Sequence, residues 1–135
     1  MHPEAEILAA LARVRNDTQN NGEKHPETIR SMAKLATMYF KYDRLKEAED
    51  IEIKVIALRK EVLGERHPET ILGMANLGVT YYQEGRLKEA EELKLKTLAL
   101  RREVLGYRHP DTIESMATLA TTYYQGGRLK EAEGI

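Results

Sequence analysis

The chain has no cysteine. Disulfides and thiolate chemistry are therefore excluded, and the usage fits a reducing, cytoplasmic setting. No apolar run approaches the length of a membrane span, and the start lacks the core of a signal peptide. Charge of either sign is not in excess: 21 Lys and Arg stand against 22 Asp and Glu. A basic surplus supplies most of the affinity for nucleic acid, so that partner is not expected. Proline is scarce, at 4 of 135 residues. Ala, Leu, Glu, Lys and Arg dominate instead, which favours helix. Asn16-Asp17-Thr18 matches a glycosylation sequon but has no secretory context.

What is present is repetition. NGEKHPETI, LGERHPETI and LGYRHPDTI place His25, His67 and His109 at intervals of 42 residues. Residues 25–66 laid over 67–108 agree at 24 of 42 positions, and 109–135 agree with the second copy at 18 of 27. Self-similarity at this period predicts a stacked array.

Each unit reads as two helices. The first spans Pro68 to about Gln83, with Ile71, Met74, Leu77, Gly78 and Tyr81 on one face. Glu84-Gly85 breaks it, as do Tyr42-Asp43 and Gly126-Gly127 in the other copies. The second runs from about Arg86 to Leu105. Its inward face is Leu87, Ala90, Leu93, Thr97 or Leu98, the aliphatic stem of Arg101, and Val104. Gly64 and Gly106 are expected to end helices in the left-handed conformation. Proline suits the first helical position, and Glu69 suits the positive end of the dipole. The recurring phrase is thus a stop followed by a start, with the histidine at or beside the N-cap. A shared zinc site is excluded by distance. Stacked helices lie about 8–10 Å apart, whereas Zn–N bonds are about 2 Å.

The segment Met74–Ala90, MANLGVTYYQEGRLKEA, closely resembles a tetratricopeptide repeat. The signature positions fall on Leu77, Gly78, Tyr81 and Ala90. They fall on Leu35, Ala36, Tyr39 and Ala48 in the first copy, and on Leu119, Ala120, Tyr123 and Ala132 in the third. The family's large residue late in the second helix is missing, because Lys94 stands there. The 42-residue form resembles the kinesin light chain branch. It is closer still to the C-terminal arrays of fungal NLR-like (NB-ARC) proteins, although no G-x-x-x-x-G-K-[ST] occurs here. The resemblance covers 25–135. It implies an all-α fold, a right-handed α-solenoid of stacked antiparallel helix pairs.

The expected organisation is a capping helix in 1–24, repeats at 25–66 and 67–108, and a truncated repeat at 109–135. Residues 1–24 read as a degenerate second helix opened by Pro3, with Ile7, Leu8, Leu11, Ala12 and Val14 apolar and Asn20-Asn21-Gly22 as its stop. Arg128–Ile135 begins another second helix and breaks off. Ile113, Met116, Leu119 and Tyr123 of the last first-helix would then lack most of their partner.

No enzyme is expected. There is no nucleophile elbow, phosphate loop or His-x-x-x-His pair, and Glu89, Glu91 and Glu92 read as a solvated face. No metal or cofactor is expected either. The resemblance implies protein or peptide binding in a groove lined by first helices. Its positions are Arg30, Ala33, Lys34, Thr37, Phe40 and Lys41 in the first unit. In the second they are Leu72, Ala75, Asn76, Val79, Tyr82 and Gln83. In the third they are Glu114, Ala117, Thr118, Thr121, Tyr124 and Gln125. The groove would be basic, then apolar, then mildly acidic, suiting a partner with an acidic end and an apolar centre. The alternative is a self-assembling scaffold, natural or engineered, whose open ends pair into a homo-oligomer.

Overall fold

His67 sets the start of its helix by a direct bond. Its Nδ1 accepts the Glu69 N–H at 3.1 Å, with Pro68 in the first helical position. His25 and His109 do the same for Glu27 and Asp111, both at 3.1 Å. His2 does it for Glu4 at 3.2 Å, a fourth use of the device that the repeat spacing did not single out. A side chain accepting here satisfies one of the four amide donors a helix leaves unpaired. His67→Ala should therefore cost about 1 kcal/mol, and His67→Asn should recover most of it. Urea denaturation of the full chain measures this; an alanine variant as stable as the parent would remove the cap from the account.

The structure is a computed structural model and describes residues 2–125 and 127. Among the described residues six helices follow in order: α1 Pro3–Asn21, α2 Pro26–Lys41, α3 Leu45–Leu63, α4 Pro68–Gln83, α5 Leu87–Leu105 and α6 Pro110–Gln125. No strand occurs among the described residues. The chain divides into two units, residues 1–64 with α1–α3 and residues 65–135 with α4–α6. Within the first, α2 packs on both α1 and α3; within the second, α5 packs on both α4 and α6. The expected segment 128–135 lies outside the described residues.

Two kinds of break separate the helices. Between α2 and α3, the Arg44 N–H donates to the Tyr39 carbonyl at 2.8 Å and the Asp43 N–H to the Phe40 carbonyl at 3.0 Å. This is the Schellman closure. It needs positive φ at its centre, which Gly85 supplies in the next pair at +79° and Asp43 adopts at +62°. The long helices end differently. Gly64 and Gly106 have φ of +97° and +92°, but their ψ values of 156° and 162° are extended. The expected left-handed cap is corrected here: this region is open essentially to glycine alone.

The threonine after each His-Pro locks the junction. Thr28 Oγ1 donates to the Gly22 carbonyl at 2.7 Å, and Thr112 Oγ1 to the Arg101 carbonyl at 3.3 Å. Thr28, Thr70 and Thr112 are all fully buried. The first unit's core then closes around Ile7, Leu35, Tyr39 and Ala48, with Ile29, Met32, Val55 and Leu58 beside it. In the second unit Leu98, Leu119 and Tyr123 pack together with Met116. Two residues of the expected apolar face of α1, Leu8 and Ala12, are exposed instead. Leu8 is 62% exposed, because Ile7, Leu11 and Val14 already occupy the α2-facing side of α1. Ile113 is 54% exposed, whereas Ile29 and Ile71 are 3% and 1% exposed. Ile29 is covered by Val55 and Leu58 of α3.

Candidate functional site

The first helices present their differing residues on exposed faces. On α2, Arg30, Lys34, Thr37 and Lys41 are exposed, and Phe40 is half-buried against the core. The expected basic cluster is partly neutralised where it stands. Arg30 pairs with Glu27 one turn before it. Lys41 lies 3.6 Å from Glu6 of α1 and over the Tyr42 ring. The Glu6 carboxylate raises Lys41 above the usual lysine range. Lys34 remains open, beside an apolar hollow of about 300 Å³ bordered by Ala9, Ala10, Arg13 and Met38.

In the second unit the expected residues meet. Leu72, Asn76 and Val79 of α4 and Glu114 and Thr118 of α6 line one cavity of about 100 Å³. Leu72 is 47% exposed, an aliphatic side chain presented to solvent at its mouth. Gln83, Thr121, Tyr124 and Gln125 are also exposed but do not line the cavity. Tyr82 lies outside it too; its ring packs under the Lys94 ammonium, 4.7 Å from the centroid.

The cavity floor is α5, and it differs from expectation. Lys94 stands where the family's large residue was read as missing, and its side chain fills that place. It is 7% exposed, and its Nζ donates to Thr122 Oγ1 at 2.8 Å. A Cβ added to Gly78 would lie 3.2 Å from Lys94 Cγ. The glycine in α4 and the lysine in α5 therefore fit as a pair. Burial pushes the Lys94 ammonium below the ordinary lysine range. Arg101, expected to bury only its stem, is 5% exposed as a whole residue. Its Nη1 donates to the Asp111 carbonyl at 3.1 Å and to Ser115 Oγ at 2.6 Å. Thus the cleft expected to be apolar to mildly acidic carries Glu114 at its edge over two buried cations.

No group of His, Asp and Glu among the described residues could hold a metal ion. Glu89 pairs with Arg86, and Glu92 is exposed. No described helix is long and apolar enough to cross a membrane.

The tetratricopeptide repeat family matches at residues 28–69, 53–103 and 70–135. No curated protein matches the chain. Among solved structures, it is similar to a Podosopora anserina protein described as a kinesin light chain with nearly identical TPR-like repeats. The TM-score is 0.86 at 25% identity, over 96% of this chain and 61% of that one. A second structure under that description matches at 0.86 and 25%, over 96% and 62%. BtubC (BKLC) from P. vanneervenii shares the fold at a TM-score of 0.88 and 19% identity, over 98% and 53%. The chain thus spans about three fifths of the length of the Podosopora structures and half that of BtubC. Six helices in this order, a repeated His-Pro opening and a family match along most of the sequence lead to one conclusion: the chain belongs to the tetratricopeptide repeat family.

Proposed function

We propose that the chain is a non-catalytic interaction module that holds an extended segment of a partner protein on its first helices. Repeats of this family generally mediate protein–protein interaction. The observation that carries the reading is the α4–α6 cleft. There Leu72, Asn76, Val79, Glu114 and Thr118, at positions that differ between repeats, surround one opening, while the shared Ile29, Leu35, Ile71, Leu77 and Leu119 are buried. Leu72 and Val79 offer apolar contact, and Asn76 can hold a peptide amide. The other residues proposed to bind are Arg30, Lys34, Thr37, Phe40 and Lys41 on α2 of the first unit, and Tyr82, Gln83, Glu114, Thr118, Thr121, Tyr124 and Gln125 on α4 and α6 of the second.

The test is a linear peptide selected by display on the full chain. Leu72→Ser with Asn76→Ala should weaken it about tenfold or more without changing helix content. Unchanged affinity in a folded double variant would remove α4 from the site.

We further infer an NLR-like parent in which this array is the recognition part, supported by the Met74–Ala90 phrase and the 42-residue period. A parent gene without a nucleotide-binding module would contradict it. A second reading, self-association through α6, is favoured by the exposed Ile113 and Tyr124. It predicts a mass that rises with concentration in light scattering and falls back on Ile113→Asp. A constant monomer mass would dismiss it.

A further inference from the structure

Lys94 and Arg101 present an unusual balance. Both line the same cavity and both are more than nine-tenths buried. Buried charges are normally paired, because removing an ion from water costs several kcal/mol that a counter-charge offsets. Here the partners are neutral: Thr122 and the Tyr82 ring for Lys94, Ser115 and the Asp111 carbonyl for Arg101. Every buried side-chain nitrogen among the described residues has a hydrogen-bond partner. What the site lacks is therefore negative charge rather than acceptors. Asp111 and Glu114 reach its rim, but both are exposed and neither pairs with these cations.

The first unit shows the same niche with its charge met. Two repeat lengths before Arg101 is Asp17, and two before Ser115 is Ser31. Asp17 is equally buried and accepts a bond from Ser31, and Arg13 sits 3.3 Å away as its counter-ion. There the chain supplies both charges. Around Lys94 and Arg101 it supplies only the positive ones, beneath an opening.

We propose that this cavity is an anion subsite, and that its occupant is the carboxylate of a glutamate or aspartate side chain in the bound partner segment. The inference rests on the interaction reading above and adds the residue class at one position. A carboxylate entering between Thr97 and Thr118 would meet two desolvated cations in a pocket of about 100 Å³. Charge-assisted bonds in such a setting are stronger than in water. Desolvation alone depresses Lys94, so a bound carboxylate would also raise it toward its ordinary range.

The experiment titrates the full chain with acetyl-Ala-Glu-Ala-amide, its Gln counterpart, and acetyl-Ala-Gln-Ala with a free C-terminus. Amide and methyl NMR shifts of Thr97, Ser115, Thr118 and Thr122 report occupancy. The Glu peptide should shift them saturably and bind about tenfold tighter than the neutral one. Lys94→Met, which keeps the side-chain volume, should erase that difference in a folded protein. Equal response to Glu and Gln peptides, a Glu preference that survives Lys94→Met, or response only to the free C-terminus would each overturn the proposal. So would no shift at these residues up to the solubility limit. The longer selected peptide judges the surface separately: its binding to α4 and α6 with no acidic preference would keep the interaction reading and remove the subsite.

Discussion

Ile29→Ala and Ile71→Ala are each expected to lower stability by about 2–5 kcal/mol. Ile113→Ala, at the same repeat position, should change it by less than about 0.5 kcal/mol. The three residues share their place in the repeated phrase, although the sequence already expects Ile113 to lack most of its partner. Burial separates them: 3% and 1% exposure against 54%. Removing a buried isoleucine's methyls loses their transfer free energy and leaves a cavity that neighbours fill only in part. Ile29 sits among Met32, Val55 and Leu58, so a gap there has no ready substitute. Ile113 is already largely exposed, so truncation leaves its surroundings solvated. Urea denaturation of the full-length variants decides it. A comparable loss in all three would mean that Ile113 is covered in solution, by this chain or by another copy.

Lys94→Met should raise stability, by about 1–3 kcal/mol near neutral pH. The lysine is buried with no charge partner, so its folded-state pKa is lowered by desolvation. Below that folded value the amine is charged in both states, and burial penalises the folded one. Between the folded and unfolded values the unfolded chain binds more protons, so stability rises with pH. Above the unfolded value, about 10.4, the penalty is gone. Methionine's advantage should therefore be largest at neutral pH and shrink as pH climbs toward that point. The exposed, ion-paired Lys24 and Lys46 titrate above that range. Hydrogen bonding to Glu61 and Asp50 raises Lys24 and Lys46, so their pairs weaken as pH rises. They are common to both proteins and cancel in the difference. Losing the contact over Tyr82 offsets about 0.5–1 kcal/mol of the gain. Tm measured for both proteins across pH reads the effect. A methionine variant less stable than the parent at every pH would show that the ammonium holds the fold together.

These expectations depend on features the sequence shows unevenly. Helix limits were legible because proline, glycine and the His-Pro opening act locally, through one or two backbone bonds each. The expected span from Pro68 to about Gln83 agrees with α4. The junction threonines were visible as an invariant letter in three copies, but their bonds to carbonyls 6 and 11 residues earlier require the folded turn. Lys94 was legible only as an absence. A periodic pattern classes lysine as surface, and only the facing Gly78 reveals the space for its stem. Arg101 misled in the same way, since nothing local marks Ser115 as the acceptor of its guanidinium. Among the groove residues, Leu72, Asn76, Val79, Glu114 and Thr118 share a cavity because α4 and α6 both pack on α5. Tyr82 is drawn away by Lys94.

The central claim is that partners are held on the α4–α6 face. Its most direct test is the amide NMR spectrum of the full chain, with and without the display-selected peptide. Shifts should concentrate at Leu72, Asn76, Val79, Glu114 and Thr118, with Thr97 on the floor responding as the cavity fills. Shifts confined to the exposed side of α5, at Glu92, Leu95 and Lys96, would contradict the claim and place the binding surface on the second helices.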